Sequence, residues 1–157
     1  MADNITGSPE NYISPKNEVL GSLDGTNKNI GIICAKFNET ITKSLLMGAI
    51  SGFTKHGVNE NSITTHWVPG AFEIPVTIAK NLKKFNGFIA LGCVIKGQTP
   101  HFDFISKSTT DALMTLSITS KKPVGNGVIT CLSKKQAVER GKKGSEAAEA
   151  VLSVLFQ

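Results

Sequence analysis

Four strand-length runs, three apolar and one (Ile63–Val68) partly polar, separated by helix-length amphipathic stretches, most constrain how this chain can fold. Ile30–Ala35, Ile63–Val68, Gly87–Leu91 and Val128–Leu132 are each too short for a buried helix and rich in branched or aromatic residues, so each reads as a strand. Between and after them, apolar residues recur at helical spacing. The first such stretch, about 40–55, places Ile41, Leu45, Ala49, Ile50 and Phe53 on one face and ends at Gly57, a residue suited to terminate a helix. Others are expected over about 71–84, 100–120, 133–141 and 145–156, the last with Ala148, Val151, Leu152 and Leu155 inside. Strand–helix alternation on this scale means a parallel sheet covered on both faces. The expected fold is α/β, a flavodoxin-like three-layer αβα sandwich around a four-stranded parallel sheet. Val19–Leu23 is compatible with an extra N-terminal strand. Residues 1–17 are polar and read as a flexible tail, leaving 18–157 as a single domain.

In a parallel sheet every strand's carboxyl end lies on one edge, where open α/β folds bind ligands. Four segments are expected there: Phe37-Asn38, Gly70 to Glu73, Gln98 to His101, and Gly125-Asn126. The third is the most informative. The third strand leads through Gly97 into a helix whose first position suits Pro100 and whose N-cap suits Thr99. Free N–H groups at such a helix start favour an anion. His101, on that first turn, adds a titratable imidazole, and the pair points to acid–base chemistry on a phosphorylated substrate. Asp103, two residues on, does not face His101 well along a helix and ranks below it. Phe37, in its strand-end loop, either stacks on a flat ring or packs across the loop. Glu73, near a helix start, has a stabilising role toward the dipole as its plain alternative.

Several classes are disfavoured. The formal charge is +5, but the lysines come in scattered pairs without interleaved aromatics, so nucleic acid is a poor fit and anionic small molecules a better one. The chain has neither a phosphate-binding GxxxxGK[ST] motif nor a GxGxxG after the first strand, and no nucleophile elbow. Cys34, Cys93 and Cys131 close apolar runs rather than forming CxxC pairs, and read as buried thiols in a reducing compartment. His56, His66 and His101 lack metal-ligand spacing, so no metal is expected. No targeting or membrane segment stands out, and a cytoplasmic protein is expected. On these grounds alone, an enzyme, a non-catalytic flavin- or nucleotide-binding module and a shell-forming structural protein all remain open.

Longer motifs narrow the choice. Val68-Pro69-Gly70-Ala71-Phe72-Glu73-Ile74-Pro75, the stretch Gly92-Cys93-Val94-Ile95-Lys96-Gly97-Gln98-Thr99-Pro100-His101-Phe102-Asp103, Gln136-Ala137 with Arg140, and Lys36-Phe37-Asn38 together resemble the signatures of the 6,7-dimethyl-8-ribityllumazine synthase family. The match runs in order from about Asn29 to the C-terminus. The resemblance implies condensation of 5-amino-6-(D-ribitylamino)uracil with 3,4-dihydroxy-2-butanone 4-phosphate, with loss of phosphate and water and without a cofactor. It implies that Phe37 stacks on the pyrimidine, that Ala71, Phe72 and Glu73 hold the ribityl chain and ring, and that Cys93, Val94 and Ile95 offer main-chain contacts to the uracil. Gln98 and Thr99 would begin the phosphate site, Arg140 would clamp it, and His101 would move protons. A family lysine on the pyrimidine aligns best with Lys143, with Lys142 as its neighbouring alternative. The resemblance further implies a homo-oligomer, pentamer or sixty-subunit shell, whose sites lie between subunits, with the Asn126 position reaching in from the partner. In the family that position is commonly a bulky aromatic.

Overall fold

A computed structural model describes residue 13 and residues 15–157; the expected tail over 1–17 lies largely outside the described residues. The elements are β1 (Ile30–Ala35), α1 (Glu39–Lys55), β2 (Ile63–Val68), α2 (Ile74–Lys80), β3 (Gly87–Ile95), α3 (His101–Ser120), β4 (Val124–Cys131), α4 (Lys134–Glu139) and α5 (Lys143–Leu155), with single 3-10 turns at Glu60–Ser62 and Ala71–Glu73. The four strands form an all-parallel sheet in the order β2-β1-β3-β4. Helices α1 and α5 cover one face, sealing a core of Ile30, Ile32, Leu45, Phe53, Ile89, Leu91, Val151 and Leu152. Helices α2 and α3 cover the other, over Ile33, Ile74, Ile78, Phe88 and Leu113.

The helical stripes act as their spacing requires. Ile41, Leu45, Ala49 and Phe53 of α1 are buried, as are Ala148, Val151 and Leu152 of α5. Gly57 follows the end of α1 with φ +94, the left-handed conformation that glycine adopts freely.

Five local expectations are corrected. Val19–Leu23 forms no strand; Gly21 lies against Ser153 of α5, so this segment crosses the helix layer instead of joining the sheet. The second helix stops at Lys80, not near Lys84, because the Asn81 amide folds back and donates to the Thr77 carbonyl at 2.7 Å. Helix α3 starts at His101 with Pro100 at the N-cap, one residue later than expected. Helix α5 starts at Lys143, so Gly144 lies within the helix rather than breaking the chain.

The fifth correction bears on function. Gly125-Asn126-Gly127 is not a loop at a strand's carboxyl end but the early part of β4, with Asn126 opposite Ala90. The glycines serve close packing here rather than a turn: a Cβ on Gly125 would lie 2.7 Å from the Val151 side chain and 2.9 Å from the Ala147 carbonyl.

Candidate active site

The sheet order sets the position of the site. From β1 the chain crosses to β2 on one side, and β3 then returns to the other side of β1. The switch of direction lies between β1 and β3, where a crevice opens at the strands' carboxyl ends. The hydrogen bonds show how it opens. Pairing of β1 with β3 ends at Cys34 and Leu91. Beyond it the chain leans toward β2: the Lys36 N–H donates to the Val68 carbonyl at 2.8 Å, and the Phe37 N–H to the Pro69 carbonyl at 3.0 Å.

A cavity of about 580 Å³ occupies this crevice, lined by Phe37, Pro69, Gly70, Ala71, Phe72, Glu73, Cys93, Val94, Ile95, His101 and Ile105. That volume suits a small organic molecule. Three strand ends build it. After β1, Asn38 adopts a left-handed conformation (φ 61, ψ 48) and turns the chain into α1, leaving the Phe37 ring outside both helical and sheet packing. After β2, Pro69-Gly70 breaks the strand and a 3-10 turn leads into α2, whose first turn accommodates Pro75. Glu73 holds this loop, its Oε1 accepting the Gly70 N–H at 3.0 Å. The last residues of β3 form the floor, and α3 starts beside them with His101.

Two aromatic rings stand exposed on the cavity, Phe37 at 70% and Phe72 at 62%. Apolar surface left in water at a cavity mouth is most readily explained by a flat partner that covers it. The floor is electrostatically quiet. Burial pushes the Cys93 thiol up to about 11, so near neutrality it is neither a thiolate nor a nucleophile. Cys34, below the floor, is likewise raised to about 11 by burial. What Cys93 to Ile95 present to a ligand is therefore main chain and hydrocarbon.

Eight of the expected site residues thus meet in one cavity: Phe37, Ala71, Phe72, Glu73, Cys93, Val94, Ile95 and His101. Asp103 is exposed and does not line it. Gln98 and Thr99 are exposed in the loop between β3 and α3, outside the lining. Thr99 Oγ1 accepts the His101 N–H at 3.4 Å, a long contact that leaves the helix start weakly satisfied. Arg140 follows α4, and its Nη1 donates to the Thr130 carbonyl at 3.3 Å. Thr130 pairs with Val94, so the guanidinium sits one strand along the same sheet edge. Lys143 is exposed at the start of α5. Asn126 lies well back along β4, away from this cavity, and lines a separate small hollow with Ser117 and Val154. Among the described residues, no group of three potential ligands is placed to hold a metal ion, and no helix is long and apolar enough to cross a membrane.

Two lining residues had a sequence signal of another kind. Pro69 reads as a strand breaker within the Val68–Pro75 motif, and Ile105 as part of an apolar helix face. Asn38 was visible as a loop residue, but nothing in its neighbours reveals a left-handed backbone or a contact with β3.

The comparisons with known proteins agree with this geometry. A family model for 6,7-dimethyl-8-ribityllumazine synthase matches residues 27–157. A curated 6,7-dimethyl-8-ribityllumazine synthase of Lactiplantibacillus plantarum is 42% identical over 139 residues, covering 86% of this chain and 87% of its own.

Proposed function

The chain belongs to the 6,7-dimethyl-8-ribityllumazine synthase family, and from that membership we propose how its residues divide the work of the reaction. The protein is a transferase of riboflavin biosynthesis. The substrates this activity implies are 5-amino-6-(D-ribitylamino)uracil and 3,4-dihydroxy-2-butanone 4-phosphate.

In this reading the pyrimidine lies against Phe37, over the main chain of Cys93 to Ile95, while Ala71, Phe72 and Glu73 hold its ribityl chain. The exposure of both rings at an otherwise formed cavity supports the assignment. The phosphorylated ketone lies toward the start of α3, where the positive end of the helix dipole favours an anion. Gln98 and Thr99 flank that position, and Arg140, hydrogen-bonded to the Thr130 carbonyl of β4, closes it. Guanidinium suits the role because it offers a planar pair of donors to a phosphate. Lys143, or Lys142 beside it, contacts the pyrimidine.

The chemistry asks little more. The substrate amine attacks the ketone, water leaves as an imine forms, and phosphate is eliminated before the ring closes. Holding the two substrates together supplies much of the acceleration, and His101 exchanges the protons. No cofactor takes part in this scheme. The observation that carries it is the position of His101, at the mouth of the aromatic-lined cavity and on the helix whose start would hold the phosphate.

Residues 18–157 are read as one domain that acts in the cytoplasm as a homo-oligomer, a pentamer or a sixty-subunit shell. Phe104, Met114 and Ile118 form an exposed apolar stripe along α3 that supports assembly. Asn126, too far back on β4 for its own cavity, is assigned to the neighbouring subunit's site.

The direct test mixes the protein with both substrates and follows lumazine fluorescence and phosphate release above the spontaneous rate. Arg140→Ala should raise KM for the phosphorylated ketone by about thirtyfold, the weight of one lost charge-assisted hydrogen-bonding group. KM for the ribitylaminouracil should move less than about threefold. Equal effects on both substrates would remove Arg140 from the phosphate site.

A further inference from the structure

We propose that Asn38 is a positioning residue for the pyrimidine substrate: its amide locks the Phe37 loop onto β3 across the crevice between β1 and β3. This rests on the assignment of Phe37 and the Cys93–Ile95 main chain to that substrate.

Asn38 stands at the N-cap of α1, where an asparagine ordinarily turns its side-chain oxygen toward the helix's free N–H groups. Here it makes no such cap. Its Nδ2 instead donates to the Cys93 carbonyl at 3.1 Å. The reason lies in the split of the sheet. The last β1–β3 pair is Cys34 with Leu91, and the chain then leans to β2 through Lys36 and Phe37. On the side where β1 would have continued, the Cys93 carbonyl has lost its strand neighbour. The Asn38 amide takes that place, substituting a side-chain donor for a backbone one.

The backbone of Asn38 is shaped for this reach. Its φ of 61 and ψ of 48 place it in the left-handed region, which asparagine tolerates better than most residues and glycine better still. A helix start does not require that conformation, since N-cap residues are ordinarily extended. It does turn the side chain across the crevice while Phe37, the residue before it, projects at the cavity mouth. One residue therefore ties together the two surfaces assigned to the ring, the stacking face and the main-chain floor. Substrate that binds both gains from their being held in register beforehand.

The test compares Asn38→Gly and Asn38→Asp with Phe37→Ala. Glycine keeps the left-handed backbone and deletes the amide; aspartate keeps the shape but presents a carboxylate to the Cys93 carbonyl. Both Asn38 variants should raise KM for the ribitylaminouracil by about tenfold, the aspartate more than the glycine, with KM for the phosphorylated ketone changed less than about twofold. Below the titration of the introduced carboxyl, the aspartate variant regains an O–H donor. Its KM relative to the parent enzyme at the same pH should then fall back toward unity, which a merely structural role would not produce. If Phe37→Ala weakens the ribitylaminouracil and neither Asn38 variant does, the positioning role is overturned and the site assignment stands. If Phe37→Ala is also without effect, the site assignment itself is wrong. Equal losses toward both substrates, with no recovery in acid, would make Asn38 a structural residue only.

Discussion

Replacing His101 with glutamine is expected to lower kcat by about a hundredfold while leaving the fold unchanged. Glutamine keeps hydrogen-bonding capacity and comparable bulk but exchanges no proton near neutrality. General acid–base groups contribute about 10²–10⁴ in rate, and the low end applies because the two substrates remain held together. His101 is exposed at the first residue of α3 and fills no core position, so KM for both substrates should stay within about threefold and Tm within about 1 °C. The measurement is steady-state lumazine formation, corrected for the spontaneous condensation. A loss of less than about threefold would move proton transfer to water or to another group.

Gly144→Ala is expected to be the more damaging change to the molecule as a whole. In α5, a Cβ at this position would lie 3.0 Å from the Leu45 carbonyl carbon and 3.1 Å from the Ala49 nitrogen, and closer still to the Leu45 carbonyl oxygen. These are backbone atoms of α1, which cannot swing aside as a side-chain tip can. Forcing α1 and α5 apart should cost about 3 kcal/mol, lowering Tm by about 10 °C in a chain of this size. The control is Gly48→Ala on the facing helix. There a Cβ meets nothing nearer than 3.5 Å, and alanine is the better helix former, so stability should rise by about 0.5–1 kcal/mol. Opposite signs at two glycines of one seam would show that contact distance, not helix propensity, decides. Destabilisation at both would mean the seam has no room at either position.

These glycines also show where sequence reasoning succeeds and where it stops. Ile30–Ala35 and Ile63–Val68 are legible to the residue, because a short run of branched and aromatic residues between turn residues is a local signal. Periodicity found the inner faces of α1 and α5 for the same reason. Glycine is ambiguous: it permits a turn and it permits close approach, and only the neighbouring element tells which. From the sequence alone Gly144 and the Gly125–Gly127 pair read as breaks, although close neighbours require them: Leu45 at Gly144, Val151 and Ala147 at Gly125, and Leu91 and Ala90 at Gly127. The site divides similarly. Phe37, Glu73 and His101 could be placed on one edge from strand order alone. The Asn38 amide on the Cys93 carbonyl could not, since it spans 55 residues and depends on where β1 and β3 part. Arg140 was legible through motif resemblance, not through any local pattern.

The register of β4 reaches further than packing. Asn126 stands four residues before Thr130 on the strand, about 13 Å from the edge where Arg140 sits. Within this chain, Asn126 lines a hollow apart from the cavity that His101 lines. If, as proposed, the asparagine serves a neighbouring subunit's site, catalysis is governed by mass action between subunits as well as by substrate. Specific activity would then depend on enzyme concentration once the assembly is diluted past its dissociation constant, and substrate, bound at the seam, would favour association. A substitution at Asn126 would cost a neighbour its activity rather than its own chain. Mixed assemblies of Asn126-altered and His101-altered subunits would thus recover some intact sites, each made from the undamaged halves of two defective chains.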